Sequence, residues 1–191
     1  LPWGMSASLL LALLPPPELS ERVRAFRDWH GIRDAAAVPH ITVKARSGLD
    51  DSAGEVARAV AAKQTPVRVQ VGGPRLFGNG SALYLAVFSP EAVRLHLALL
   101  DALRPAQRFG SEGPQMTPHL SLALARRGVD LKALLLAAQA EFADLDAEGL
   151  TFTARTVTLM KKPGPGGFYA PVEEWPLGEG AYGEEGSTPV S

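Results

Sequence analysis

Pro39-His40-Ile41-Thr42-Val43 returns in the second half of the chain as Pro118-His119-Leu120-Ser121-Leu122. In both phrases a histidine is followed, two positions later, by a residue with a hydroxyl group, and the other positions are apolar or proline. Side chains two positions apart on a β-strand point to the same face of the sheet. Each phrase therefore predicts a strand that presents one imidazole beside one hydroxyl.

The predicted elements around the two phrases repeat as well. Each half of the chain reads strand, helix, strand, helix, strand. The predicted strands are Ala7–Leu14, Val38–Ala45, Pro66–Val71, Ala82–Phe88, Leu120–Ala125 and Leu150–Met160. Because both phrases occupy the equivalent strand, we expect two similar lobes, roughly residues 5–75 and 80–162, within one domain over residues 5–177. Alternating strands and helices would by themselves favour a parallel sheet.

The charge of the chain is distributed unevenly. The formal net charge is −1, yet residues 163–191 contain five glutamates and no lysine or arginine. The remainder has 19 basic against 15 acidic residues, which mildly favours a small anionic ligand and equally fits an ordinary surface. Within this last segment, residues 165–177 are a candidate edge strand, and residues 178–191 are predicted to be a flexible acidic tail.

The composition excludes several classes of site. Cysteine is absent, which excludes disulfides and thiolate metal sites. The apolar run Ala7–Leu14 follows no basic residue and ends in three prolines, so a buried strand is expected there and not a signal peptide or membrane span. No two histidines have a close metal-ligand spacing. We therefore expect a cytoplasmic, monomeric protein without a metal or cofactor and without membrane contact.

The two phrases together suit phosphoryl transfer. If the lobes face each other across a cleft, the imidazoles of His40 and His119 meet the hydroxyls of Thr42 and Ser121 there. A neutral imidazole can accept a proton from an attacking water, and a protonated imidazole can donate one to a departing oxygen, because the ordinary histidine pKa of about 6.5 lies near working pH. The hydroxyls can donate hydrogen bonds to phosphate oxygens.

A structural role is the alternative for any single histidine. His30 and His96 fall on predicted helices without a neighbouring hydroxyl in the same pattern, and one His-x-[Ser/Thr] match is unremarkable. Two matches, each preceded by proline and each at the equivalent place in a repeat, are much harder to explain by chance. The paired pattern therefore favours a functional role for His40 and His119.

The paired phrases resemble the His-x-Thr-x signature of the 2H phosphoesterase superfamily. Within it, the chain is most similar to the group of 2′-5′ RNA ligases and RNA 2′,3′-cyclic phosphodiesterases. The resemblance covers roughly residues 8–177, including the Glu174-Trp175-Pro176-Leu177 ending. The second phrase departs from the commoner pattern at Ser121, which keeps the hydroxyl group of threonine.

The resemblance implies a bilobal α+β fold in which two antiparallel-type sheets line a central cleft, with helices outside. It implies that a 2′,3′-cyclic phosphate, on an RNA end or a small cyclic nucleotide, is opened to a 2′-phosphomonoester, with His40 as proton donor and His119 as acceptor. The residues alone leave these two roles unassigned. They also leave open ligation of 2′-5′ linkages, another cyclic or 2′-5′-linked substrate, and a scaffold that binds RNA ends without turnover.

Four further residues are candidates for substrate binding. Lys44 alternates with Val43 and is expected on the His40 face, where it would balance phosphate charge at the cleft rim. Arg126, at the end of the second motif strand, would reach a phosphate, although a solvated strand-end charge is the simpler expectation. Phe77 and Tyr84 can stack on a base, with packing in the core as the alternative.

Overall fold

The computed structural model describes residues 7–33 and 38–178. Except for Gly178, the predicted acidic tail lies outside these residues. No helix in these two ranges is long and apolar enough to cross a bilayer.

The elements in chain order are β1 (Ser8–Leu13), α1 (Pro17–Trp29), β2 (Ile41–Lys44), a 3-10 turn (Asp51–Ala53), α2 (Gly54–Ala62), β3 (Val67–Leu76), β4 (Ala82–Phe88), α3 (Pro90–Leu103), β5 (His119–Leu124), α4 (Leu131–Glu141), α5 (Ala143–Ala147), β6 (Leu150–Ala154), β7 (Thr156–Lys162) and β8 (Ala170–Pro176).

The helix starts follow local sequence signals. Ser89 precedes Pro90 at the start of α3, and its Oγ accepts a hydrogen bond from the backbone N–H of Ala92 at 3.0 Å. Asp50 caps the turn before α2 in the same way. These side chains satisfy N–H groups that have no partner inside the helix. Serine and aspartate are residue types that favour this position before a helix.

The eight strands form one sheet in the order β6-β3-β4-β5-β2-β1-β7-β8, and every neighbouring pair is antiparallel. Two four-stranded halves are joined where Ile41 of β2 pairs with Leu120 of β5. The α+β fold with antiparallel sheets is thus confirmed, and the parallel arrangement suggested by alternating strands and helices is wrong. Parallel strands are usually covered on both faces, whereas in β3 exposed Arg68 lies between buried Val67 and Val69.

Each half of the sheet takes strands from both halves of the sequence. β3 lies between β4 and β6, and β7 pairs with β1. The predicted single strand Leu150–Met160 divides at Arg155 into β6 and β7, which lie in different halves of the sheet. Residues 5–75 and 80–162 therefore do not coincide with the two halves of the sheet, because the chain crosses between the halves more than once.

The segment at residues 165–177 contains the edge strand β8. It pairs with β7 along most of its length. Its Trp175 is buried in the core, and the indole N–H donates to Glu173 Oε1 at 2.7 Å. The backbone N–H of Gly178 donates to the carbonyl of Ala61 at 3.1 Å. The end of the described chain is thereby attached to α2.

The helices cover one face of the sheet and form the main core with it. Burial of each large apolar side chain there stabilises the fold by about 1.5–3 kcal/mol. The largest fully buried apolar side chains are Leu11, Leu13, Leu19, Ile41, Leu83, Leu85, Leu95, Leu99, Leu120, Leu122 and Phe142. The other face carries a separate small cluster of Leu10, Ala12 and Met160. This second face is where the two motif strands present their polar side chains.

Candidate active site

The junction between the two halves of the sheet places the two histidine phrases side by side. Ile41 and Leu120 pair across the junction, and both are fully buried in the helix-covered core. Because side chains alternate along a strand, the residues on either side of this pair lie on the opposite face. His40, Thr42, His119 and Ser121 are all half-buried. Extending the antiparallel register by one residue each way puts His40 opposite Ser121, and Thr42 opposite His119.

A local two-fold relation therefore passes through the Ile41–Leu120 pair. It exchanges His40 with His119, and Thr42 with Ser121. It also relates two β-bulges, one on each motif strand directly after the hydroxyl residue. In β2 the extra residue is Val43, and in β5 it is Leu122, so that both phrases end in the same backbone irregularity.

The first bulge overturns the predicted position of Lys44. Thr42 lies opposite Ala12 of β1, whereas Lys44 lies opposite Leu11, which points into the core. The extra residue thus turns Lys44 away from the face of His40. Its side chain is fully buried, and its Nζ lies 2.8 Å from Oε2 of Glu112. Strict alternation predicted that Lys44 would line the cleft rim, and this prediction is wrong.

The two imidazoles are held in the same way. Nδ1 of His40 lies 3.1 Å from the carbonyl oxygen of Val38, and Nδ1 of His119 lies 3.0 Å from that of Thr117. A carbonyl only accepts, so each Nδ1 carries a proton and donates it. Nε2 of each ring is then left to accept or donate a proton toward a ligand.

Burial lowers the pKa of both imidazoles. For His40 the hydrogen bond to Val38 opposes this effect, while the positive charges of Arg27 and His119 lower the pKa further. For His119 burial lowers the pKa and the hydrogen bond to Thr117 opposes it. The effect of His119 on the pKa of His40 is that of a like charge in proximity. Both groups therefore lose their protons at a lower pH than a free histidine.

Phe77 and Tyr84 lie directly beside His119. The two aromatic rings stack on each other with centroids 4.2 Å apart. The edge-on contacts to the imidazole measure 4.9 Å from Phe77 and 5.6 Å from Tyr84. Tyr84 also pairs with Ser121 in the sheet register. The structure thus brings these two predicted residues to the candidate site, where they limit the positions of the His119 ring.

A pocket of about 280 Å³ opens next to His119 and Thr42. Its walls combine apolar and polar side chains. The lining residues are Thr42, Val43, Ala45, Phe77, His96, Ser111, Glu112, Gln115, Met116, Thr117 and His119. Most of the polar wall comes from the segment between α3 and β5, which precedes the second histidine phrase.

Arg126 lies away from this pocket. β5 ends at Leu124, and Arg126 follows in the turn that leads to α4. There it lines a different pocket of about 460 Å³, together with Ala133 and Leu134 of α4. The predicted contact between Arg126 and a phosphate at the candidate site is therefore not supported, because the chain has already turned toward the helices.

Buried helix side chains support both bulges, a role that sequence patterns did not indicate. Arg27 of α1 donates from Nη2 to the carbonyl of Ser121 at 2.8 Å and from Nε to that of Leu122 at 3.3 Å. His96 of α3 donates from Nδ1 to the carbonyl of Val43 at 2.8 Å and accepts at Nε2 from the N–H of Gly113 at 2.9 Å. His96 therefore has a structural role with both ring nitrogens engaged.

Among the described residues, no three His, Asp or Glu side chains are grouped so that they could hold a metal ion. The two histidine phrases contribute two imidazoles and two hydroxyls to the site. Such a set can accept one proton, donate another and hydrogen-bond an anionic oxygen.

An antiparallel sheet in two halves with helices on its outer face is the architecture of 2H phosphoesterases. A sequence profile described as the 2′-5′ RNA ligase superfamily matches residues 15–165, and the chain belongs to this superfamily. It is accordingly an enzyme of the phosphoesterase and ligase type. No curated protein sequence matches the chain significantly.

Solved structures show the same fold at low sequence identity. The protein TT0787 of Thermus thermophilus is 18% identical, with a TM-score of 0.58, and the match covers 90% of this chain and 98% of that one. LigT of E. coli in complex with NADP+ is 16% identical, with a TM-score of 0.60 and the same coverage. A second LigT structure, with 3′-AMP, is 15% identical with a TM-score of 0.58, again covering 90% and 98%.

Proposed function

We propose that this chain opens 2′,3′-cyclic phosphates, at RNA 3′ ends or in small cyclic nucleotides, to 2′-phosphomonoesters. The observation that carries the proposal is the matched pair of imidazoles at the junction of the two halves of the sheet. Each donates from Nδ1 to a carbonyl two residues upstream, at 3.1 Å for His40 and 3.0 Å for His119. Each therefore has Nε2 available for proton transfer, next to the hydroxyl of Thr42 or Ser121.

In the proposed reaction a water attacks the phosphorus, and the bond between phosphorus and the 3′ oxygen breaks. A neutral imidazole accepts the water proton at Nε2, and a protonated imidazole gives its Nε2 proton to the departing ribose oxygen. The phosphate stays on the 2′ oxygen. Thr42 and Ser121 donate hydrogen bonds to the non-bridging oxygens, where negative charge accumulates. The family resemblance assigns the donor role to His40 and the acceptor role to His119.

The surroundings of His119 support a nucleotide substrate. The pocket of about 280 Å³ has an apolar wall that includes Phe77 and Met116. A terminal base can pack against Phe77 there, with Tyr84 supporting the ring from behind. Among the structures with this fold, LigT has been crystallised with 3′-AMP and with phosphate. A ribonucleoside monophosphate is close in chemistry to the product that we propose.

The proposal is tested with a short RNA that ends in a 2′,3′-cyclic phosphate, incubated with the purified chain in EDTA. We expect a product with a terminal 2′-phosphate, identified by chromatography against synthetic 2′- and 3′-phosphorylated standards. Turnover in EDTA is expected because imidazoles carry both proton transfers. A 3′-phosphate product, or loss of turnover on chelation, would contradict the mechanism.

A binding module without turnover is the competing function. It predicts that the cyclic end binds and is recovered unchanged, however long the incubation. The matched control is the His40→Ala, His119→Ala double variant, which should still fold and should form no product. Equal product formation by the double variant and the wild-type chain would exclude His40 and His119 as the acid and base.

The pH dependence of kcat/KM follows from the two lowered histidine pKa values. One imidazole must be neutral and the other protonated, so the profile is bell-shaped and reports both groups in the free enzyme. Each pKa lies below the ordinary value of about 6.5. We therefore expect the maximum on the acidic side of about pH 6.5, measured with a dinucleotide carrying a cyclic phosphate. A maximum well above neutral pH would contradict this assignment.

A further inference from the structure

A buried ionic cluster lies next to the candidate site and has no part in the proposed proton transfers. Nζ of Lys44 donates to Oε2 of Glu112 at 2.8 Å and to Oγ of Ser47 at 2.9 Å, and it also donates to the carbonyls of Ala45 and Ser47. The Lys44 side chain is fully buried, and that of Glu112 is 3% exposed. Every donor position of the ammonium group is thus engaged inside the protein.

The glutamate in this cluster connects two loops. Its Oε1 accepts from Ser47 Oγ at 2.6 Å and from the backbone N–H of Phe109 at 3.0 Å. Burial pushes the pKa of Glu112 upward, but the hydrogen bonds from Lys44, Ser47 and Phe109 outweigh this and hold the pKa below its ordinary value. A charged carboxylate therefore ties the segment before β5 to the end of β2.

The local two-fold relation provides an internal comparison for Lys44. The equivalent position in the second motif strand is Ala123, which follows the bulge of β5 and is buried with 1% exposure. A small apolar side chain therefore satisfies the packing of this position in the sheet. The long cationic side chain at Lys44 has another purpose, which is to reach Glu112.

The segment that Glu112 anchors leads directly to His119. Gly113 donates to the buried His96 ring, Met116 N–H donates to the carbonyl of Gly113 at 3.0 Å, and Gln115 Nε2 donates to the carbonyl of Glu112 at 2.9 Å. One residue past Met116, the carbonyl of Thr117 accepts the hydrogen bond from Nδ1 of His119. The position of this carbonyl decides which ring nitrogen of His119 carries the proton.

We infer that Lys44 and Glu112 are positioning residues: their buried ion pair holds the segment 109–117 so that the Thr117 carbonyl fixes the tautomer and orientation of His119. The expected loss of turnover rests on the function proposed above. The expected change in the tautomer of His119 does not depend on that function. The same segment forms much of the wall of the pocket beside His119. Loss of the pair is therefore expected to affect kcat through the ring and KM through the pocket.

The test uses a Lys44→Met, Glu112→Leu double variant of the full chain. Replacing a buried ion pair by apolar residues of similar volume is often neutral or stabilising, so this variant is expected to fold while lacking the tie. Nitrogen-15 NMR of the imidazoles at a pH above their titration should show the Nδ1–H tautomer for both His40 and His119 in the wild-type chain. In the double variant we expect a mixture of tautomers at His119 alone.

His40 is the control within the same sample, because Val38 and not the anchored segment holds its Nδ1. The second control removes the exposed ion pair between Arg22 and Asp144, which lies at 2.8 Å on the surface, by Arg22→Gln. This variant should leave both imidazoles and the turnover unchanged. For the cyclic-phosphate substrate, we expect kcat of the double variant to fall about 10- to 100-fold, as for a small misplacement of a reacting group.

An unchanged His119 tautomer in a folded double variant would overturn the inference. If the double variant fails to fold, Glu112→Gln takes its place, since the amide oxygen can still accept from Ser47 and Phe109 while the charge that attracts Lys44 is lost. A wild-type tautomer ratio in that variant would equally overturn the inference. If the wild-type chain shows no turnover but the tautomer changes as expected, the positioning role stands and the proposed function fails.

Discussion

Replacing either His40 or His119 by alanine is expected to lower kcat for a 2′,3′-cyclic phosphate by about 10²–10⁴-fold, because each proton transfer typically contributes this much. The two changes should not multiply, since the acid and the base act in the same step. The measurement is single-turnover kinetics at the pH optimum of the wild-type chain, with unfolding followed in parallel. Both side chains are only half-buried, so the variants should remain folded.

His30→Ala is the matched control for these two variants. His30 is exposed, and its ring contacts that of Phe26 with centroids 4.5 Å apart. It does not line the pocket beside His119. Its replacement should leave kcat within a factor of about two, as expected for a surface substitution. A loss at His30 comparable with that at His119, or full turnover in the His119→Ala variant, would remove the acid and base assignment.

Strand alternation predicts that His40 and Thr42 lie on one face, and the same rule fails two residues later at Lys44. The reason is the bulge at Val43, which adds one residue and turns the following side chain into the core. Glycine marks only some bulges, and Val43 carries no such signal. The partner Glu112 is equally invisible in the sequence, because the ion pair joins residues that only the tertiary fold brings together.

The division of Leu150–Met160 into two strands did have a signal. The inward-facing positions fall on even numbers up to Ala154, and on odd numbers at Val157 and Leu159. A shift of one residue exchanges the two faces of a strand. A change of parity around Arg155 therefore marks the end of one strand and the start of another. The order of strands and helices along the chain does not determine strand direction. For this reason the parallel sheet that the alternating order suggested was wrong.

Thr42→Val is expected to lower kcat about 10²–10³-fold, with KM changed much less. The substitution keeps the shape of the side chain and removes the hydroxyl that we propose to donate to a non-bridging oxygen in the transition state. Loss of one such donor has effects of this size in other enzymes. Ser121→Ala should behave in the same way because of the local two-fold relation, whereas Ser121→Thr should stay within a few-fold of the wild-type chain.

Thr158→Val is the matched control, because it makes the same chemical change on the neighbouring part of the sheet. The Thr158 hydroxyl is buried, and among the described residues it has no hydrogen-bond partner. Removing an unsatisfied buried hydroxyl should leave kcat unchanged and should not lower the free energy of unfolding. If Thr42→Val loses no more activity than Thr158→Val, the hydroxyls do not stabilise the transition state. The two imidazoles would then carry out the proton transfers without a contribution from these hydroxyls.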